Sequence, residues 1–255
     1  MSNIPKNKDH SEAVKSLKNR IIEELMFFAG LFVVMFSFMT FVWGHFKIPS
    51  ESMLPTLEVG DHIYVSKFAY GYSKHSVPFG NRMSFIPDGK IWSRLPKRGD
   101  VAVFRNPKTE MIMIKRIVGL PGDKIQIRRG RLFINDTLIE RANLTNYLYR
   151  EHKGRKVGVD VYSESLPDEE GTHRIYERTD QHPLDNTDVF VVPEGSLFFM
   201  GDNRDNSTDS RDPNGPGFVP LDHLIGRADR MMFSFKRCED EDGLRCPPSR
   251  WMKKL

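Results

Sequence analysis

Two serines and a lysine carry the chemistry this chain could perform. Ser50 and Ser52 lie in Ile48-Pro49-Ser50-Glu51-Ser52-Met53-Leu54-Pro55-Thr56-Leu57. The two prolines fix φ and each removes a backbone donor, which disfavours a regular helix or a central strand and leaves a stiff, irregular backbone suited to presenting a hydroxyl. Taken alone, the stretch reads as a Ser/Pro linker between an anchor and a soluble domain. An unactivated serine is a poor nucleophile, so a neighbouring base must take its proton. None of the eight histidines sits in a recognisable triad context, and no Gly-x-Ser-x-Gly elbow occurs. What does occur is Lys115, a charge set into the apolar, strand-like run Ile112-Met113-Ile114-Lys115-Arg116-Ile117-Val118.

Lysine serves as a base only when neutral. Lowering its pKa by roughly 3 units, to work near neutrality, disfavours the charge by about 4 kcal/mol. Desolvation can supply that, and Ile112, Ile114, Ile117, Val118, Met53 and Leu54 are expected to wall the amine off. A strand period of two puts Met113, Lys115 and Ile117 on one face and Ile114 and Arg116 on the other, so only one of Lys115 and Arg116 can be buried on a given side. The plain alternative is a solvated lysine on an exposed strand face. Gly201-Asp202-Asn203-Arg204-Asp205-Asn206-Ser207, continued by Asp209-Ser210-Arg211, is polar and turn-rich and follows an apolar run. It reads as a surface loop or an Asp/Asn cluster. It lacks the terminal glutamate of a calcium-binding EF-hand loop, and no metal or other cofactor is expected.

The serine stretch resembles the nucleophile segment of bacterial type I signal peptidases, membrane proteases that remove signal peptides from exported proteins. Three further segments carry the same resemblance, in the family's order. They are Gly60-Asp61-His62-Ile63-Tyr64-Val65 with Lys67-Phe68-Ala69-Tyr70-Gly71; Arg98-Gly99-Asp100-Val101 through Ile114-Lys115-Arg116 to Gly119-Leu120-Pro121-Gly122-Asp123; and the Gly201 to Arg211 loop. The resemblance implies that Ser52 is the nucleophile and Lys115 the general base, a Ser-Lys variant of triad logic. It implies that the Ser50 hydroxyl joins the Ser52 N–H in the oxyanion hole, that Ser207 orients the lysine amine, and that Asp209 and Arg211 form a supporting ion pair. Ile48, Met53, Leu57, Ile63, Val65 and Ile114 match positions lining shallow pockets for small substrate residues, with simple core packing as the alternative for each. The implied reaction is cleavage of preproteins after a small-x-small sequence at the outer face of the bacterial cytoplasmic membrane, near lipid and the export translocon. Two departures stand out: several Gram-negative relatives carry two spans where this chain has one, and Met113 occupies a position that is often aromatic.

These residues need an anchor and a scaffold. Residues 1–20 are polar, with Lys6, Lys8, Lys15, Lys18 and Arg20 against Asp9 and Glu12. From Leu25 to Trp43 no charge occurs, and at about 1.5 Å per residue this run approaches the ~30 Å hydrocarbon thickness. It is longer than the apolar core of a signal peptide and is followed by bulky Trp43-Gly44-His45-Phe46-Lys47, which predicts an uncleaved anchor. The basic excess before the span puts the N-terminus in the cytoplasm. Phe79, Phe85 and Trp92 are aromatics that could dip into the interface or pack in the core. Beyond the anchor, short alternating runs such as His62–Val65, Asp100–Phe104, Lys124–Ile127, Arg131–Asn135, Asp188–Val192 and Ser196–Met200 read as strands. The prediction is a mostly β protein: one transmembrane helix, then an antiparallel β catalytic domain interrupted by a smaller β-rich insertion.

The expected order is a cytoplasmic tail (1–20), anchor (21–45), catalytic domain in two parts (46–123 and 194–237), insertion (124–193) and C-terminal tail (238–255). A net charge of +4 across 38 basic and 34 acidic residues, with no basic run interleaved with aromatics, argues against nucleic-acid binding. Cys238 and Cys246 lack a four-ligand zinc pattern and leave open both a local disulfide and two free thiols. A tethered β binding module without catalysis would need a missing dyad residue. A Ser-Lys autoprotease of the repressor-cleaving kind would carry a DNA-binding helical domain in place of the span.

Overall fold

The computed structural model describes residues 8–77, 80, 89–151, 154–234 and 251–255, with side chains from residue 17 onward. Phe79, Phe85, Cys238 and Cys246 lie outside the described residues. Helix α1 spans Lys8–Phe41, and its Leu17–Phe41 portion, 25 residues at mean hydropathy 2.0, is long and apolar enough to cross a membrane. Leu25, Phe27, Phe28, Phe32 and Met35 all stand more than half exposed. Only its last turn meets the rest of the chain, through Phe38 on Trp43 and Phe41 on Tyr72. The helix ends at Phe41, short of residue 45, because Trp43–Lys47 already pairs as strand β1.

Strand β2 (Asp61–Ser66) lies antiparallel to β1. Strands β3 (Val101–Arg105) and β4 (Ile112–Gly119) form a hairpin. The chain then leaves for β5 (Lys124–Arg128), β6 (Arg131–Ile134), β7 (Thr137–Leu138), β8 (Arg141–Arg150), β9 (Lys156–Glu164), β10 (His173–Glu177) and β11 (Phe190–Val191). It returns in β12 (Ser196–Met200), β13 (Val219–Pro220) and β14 (Leu224–Ser234). The main sheet has seven strands in the order β1-β2-β14-β3-β4-β12-β13. Residues 124–191 make two smaller sheets, ordered β11-β5-β6-β7 and β10-β9-β8. Of the strand expectations, Asp188–Val192 contracts to the two residues of β11.

Strand β3 reads Val-Ala-Val-Phe before its terminal Arg105, with no polar residue in those four positions because both faces of the sheet are covered. Val101 and Val103 join Ile48, Met53, Leu57, Ile63, Val65 and Ile114 in one core cluster. Ala102 and Phe104 point the other way, against Ile117, Leu197, Phe199 and Leu224. Each such side chain fully buried contributes about 1.5–3 kcal/mol of transfer free energy. The same two-sided burial lets β4 hide a charge on each face. The three-stranded sheet also reaches the serine stretch, since Leu54 packs with Tyr149, Val159, Val161 and Tyr176.

Candidate active site

The serine stretch is fixed from below by its apolar residues and from its flanks by backbone bonds. Ile48, Met53 and Leu57 are buried at 2% exposure or less. Ile48 N–H donates to Asp61 O (2.8 Å), Gly60 N–H to Ile48 O (2.9 Å) and Leu57 N–H to Met53 O (2.9 Å). The prolines leave it otherwise irregular, and Ser52 projects from it toward β4.

In β4, Lys115 pairs across the ladder with Ala102, the small residue that leaves room for a long side chain. Its Nζ lies 2.5 Å from Ser52 Oγ and donates to Ile114 O at 3.1 Å. Ser50 Oγ stands 3.2 Å from Ser52 Oγ. The amine is 4% exposed at residue level, and burial pushes its pKa down to about 8, with Asp209 and Asp202 pulling the other way. Ile114, Ile117, Val118, Met53 and Leu54 are all buried as expected of its walls. Ile112 is not: it stands 51% exposed at the start of β4, where the strand has run past its cover.

Arg116 is buried on the opposite face. Its guanidinium grips Asp202 through Nε–Oδ1 (2.8 Å) and Nη2–Oδ2 (2.7 Å), and Nη1 donates to Gly99 O (2.7 Å). Thr56 Oγ1 donates to the same carboxylate at 2.5 Å, so the serine stretch, β4 and the loop after β12 meet at one ion pair. That loop is also sewn to the serine stretch directly: Asn203 N–H donates to Ser52 O (3.1 Å) and Asn203 Nδ2 to Glu51 O (3.1 Å). Asp209 and Arg211 form the ion pair the resemblance implies, at 2.9 Å, and Arg211 Nη2 also donates to Arg204 O at 2.6 Å. Burial alone raises the Asp209 carboxyl, but Arg211 outweighs it and holds Asp209 ionised.

Two implied roles differ in the structure. Ser207 does not bond Lys115. Its Oγ is buried and, among the described residues, meets no partner at hydrogen-bond distance and angle; it stands instead beside the Asp209 carboxylate, whose ionised form it helps to hold. Nor do Ile48, Met53, Leu57, Ile63, Val65 and Ile114 line the cleft; all six sit within the core cluster, at 8% exposure or less. The cleft, about 510 Å³, is lined by Pro49, Ser50, Ser52, Met113 and Lys115 together with Glu151, Arg155 and Arg178. Those last three come from the region of the small sheets, where no local pattern marks them. Arg116, Asp202 and Thr56 were missed as a unit, although a second charge inside the β4 apolar run was a usable signal. Trp92 is 80% exposed, so it is not a core residue.

A buried neutral amine beside a hydroxyl can take its proton, and the resulting oxyanion can attack a carbonyl placed in the cleft. A family model described as Signal peptidase, peptidase S26 matches residues 21–233. A signal peptidase I of Rickettsia typhi is 36% identical over 244 residues, covering 90% of this chain and 85% of its own. One from Rickettsia conorii is 41% identical over 202 residues, covering 75% and 71%. The crystal structure of a signal peptidase I from Enterococcus faecalis is similar at TM-score 0.32 and 26% identity, over 52% of this chain and 97% of that one.

Proposed function

The chain belongs to the signal peptidase family, peptidase S26, and is a serine peptidase; from that premise we propose that it removes signal peptides from exported preproteins with Ser52 as nucleophile and Lys115 as general base. The observation that carries the assignment is the 2.5 Å separation of a buried amine from a serine hydroxyl. Neutral Lys115 takes the Ser52 proton as Oγ attacks the scissile carbonyl. The Ser52 N–H and the Ser50 hydroxyl receive the developing oxyanion. Lys115 returns the proton to the departing amine, then draws one from water to release the acyl group. Cleavage follows small-x-small sequences, whose short side chains suit a cleft walled by Pro49 and Met113.

Helix α1 anchors the enzyme, N-terminus in the cytoplasm, in the bacterial cytoplasmic (inner) membrane. Ser52 lies eleven residues past the helix end at Phe41, so the chain can carry it at most about 36 Å from that point. Preproteins held in the same bilayer thus meet the site at high effective concentration, beside lipid and near the export translocon.

Ser52→Ala is expected to abolish processing of a preprotein in detergent or vesicles while the protein stays folded; turnover near the wild-type rate would remove the nucleophile. The pH profile is a second expectation. With the Lys115 pKa at about 8, roughly a tenth of the free enzyme is neutral at pH 7. kcat/KM should therefore climb about tenfold per unit on the acid side and level off above pH 8. A rising limb that continues toward pH 10 would contradict a desolvated base.

A further inference from the structure

The turn that leads into Ser207 carries a cluster for which the peptidase reaction has no use. His182, Asp185 and Asp205 bring one ligand atom each to within 4.8 Å of one another. The Asp205 side chain is only 1% exposed. Its Oδ2 accepts the backbone N–H groups of Arg178 (2.7 Å) and Thr179 (3.1 Å). Its Oδ1 is buried, has no hydrogen-bond partner among the described residues, and faces His182 Nδ1 at 3.9 Å. That ring nitrogen is the acceptor of a long Leu184 N–H contact at 3.4 Å, which a cation taking the same lone pair displaces. Asp185 is 3% exposed and is aimed by the His182 N–H, which donates to its Oδ2 at 2.6 Å. Burial and the neighbouring Asp205 charge both push the Asp185 carboxyl up. Three lone-pair donors converge, and one buried carboxylate oxygen lacks the partner that buried polar atoms almost always have.

We propose that His182, Asp185 and Asp205 form a site for a divalent transition cation of the zinc class, held by one imidazole and two carboxylates with water completing the shell. An imidazole among the donors disfavours calcium and magnesium, which take all-oxygen shells, and suits zinc. Bonds of roughly 2.0–2.2 Å in tetrahedral array place donors about 3.4 Å apart, so binding draws the three together by about an ångström. The cation clamps the Arg204–Asn206 turn, which directly precedes Ser207 and the Asp209–Arg211 pair, onto the loop after β10.

The test is titration of the full-length, chelator-stripped protein in detergent with zinc chloride, by calorimetry and thermal unfolding. One equivalent should bind at micromolar Kd or tighter, and Tm should rise by roughly 5–10 °C at a hundredfold excess over Kd. His182→Ala, at a side chain already 32% exposed, should weaken binding at least tenfold and remove the Tm response, as should Asp185→Asn. The exposed, stacked pair His45 and His62 is a rival zinc ligand set, and its double substitution to alanine should leave the titration unchanged. The proposal is overturned if no stoichiometric binding occurs, if His182→Ala binds like wild type, or if the signal disappears with His45 and His62.

Discussion

Lys115→Met should abolish preprotein cleavage, by at least about a thousandfold, and yet make the folded protein harder to unfold at neutral pH. The two effects share one cause. Burial lowers the amine from its ordinary 10.5 to about 8, so below pH 8 the folded state holds a charge that the unfolded state keeps in water. That difference of about 2.5 units corresponds to roughly 3 kcal/mol against the folded state. Methionine has similar length and no charge, and after subtracting about 1 kcal/mol for the lost hydrogen bonds a net gain of about 2 kcal/mol remains at pH 7. The sign of the pH dependence follows from proton counts. Between about pH 8 and 10.5 the unfolded lysine still binds a proton that the folded one has released, so wild-type stability rises with pH there. The variant has no such titration, and its advantage should shrink across that window and turn into a deficit of about 1 kcal/mol above it. Urea unfolding of both proteins at several pH values reads this directly. A variant less stable than wild type at pH 7, or a gap independent of pH, would mean that the amine is not desolvated and would leave the base assignment without its physical basis.

The parts of this architecture that the sequence exposes are those encoded within a few residues. The proline-stiffened serine stretch, the lysine inside an apolar strand and the uncharged 25–43 run are local patterns, and strands β2, β3, β5, β6 and β12 follow from short apolar or alternating runs between turn residues. What stayed hidden depends on pairings across long separations. Thr56 and Asp202 meet over 146 residues, and Leu54 finds Tyr176 only once the three-stranded sheet folds over the serine stretch. Alternation correctly set Lys115 and Arg116 on opposite faces, but it could not show that both faces are covered, which is why both charges are buried. The same blindness explains Ile112: its type promised burial, and only the end of the covering layer exposes it. Ser207 shows the limit of resemblance, because a matched position fixes a residue type and not the hydrogen bond it makes.

Gly201→Ala is expected to disable the enzyme through space alone. Gly201 follows directly on β12 and has no unusual φ, so an alanine meets no backbone strain there. Its Cβ would, however, stand 2.2 Å from Ser207 Oγ, 2.5 Å from Ser207 Cβ and 2.5 Å from Ser52 O. The first contact can be relieved by rotating a hydroxyl. The other two cannot, since Ser52 O is held by the Asn203 N–H and the Gly201 N–H is itself tied to Asp209 Oδ2 at 3.0 Å. Relief therefore requires the Ser52 backbone to retreat by about an ångström, which takes Oγ out of reach of a lysine fixed in β4. A displacement of that size costs about a hundredfold in rate, on top of about 1–3 kcal/mol of overpacking. Gly195→Ala supplies the contrast, because Gly195 has φ +73° and open space around its missing Cβ. That change should cost about 1 kcal/mol of stability through the left-handed backbone and leave kcat/KM unaltered. Adding Ser207→Ala to Gly201→Ala should restore little, since the collision with the Ser52 carbonyl remains. If Gly201→Ala instead processes preprotein at the wild-type kcat/KM, the loop after β12 does not set the position of the nucleophile.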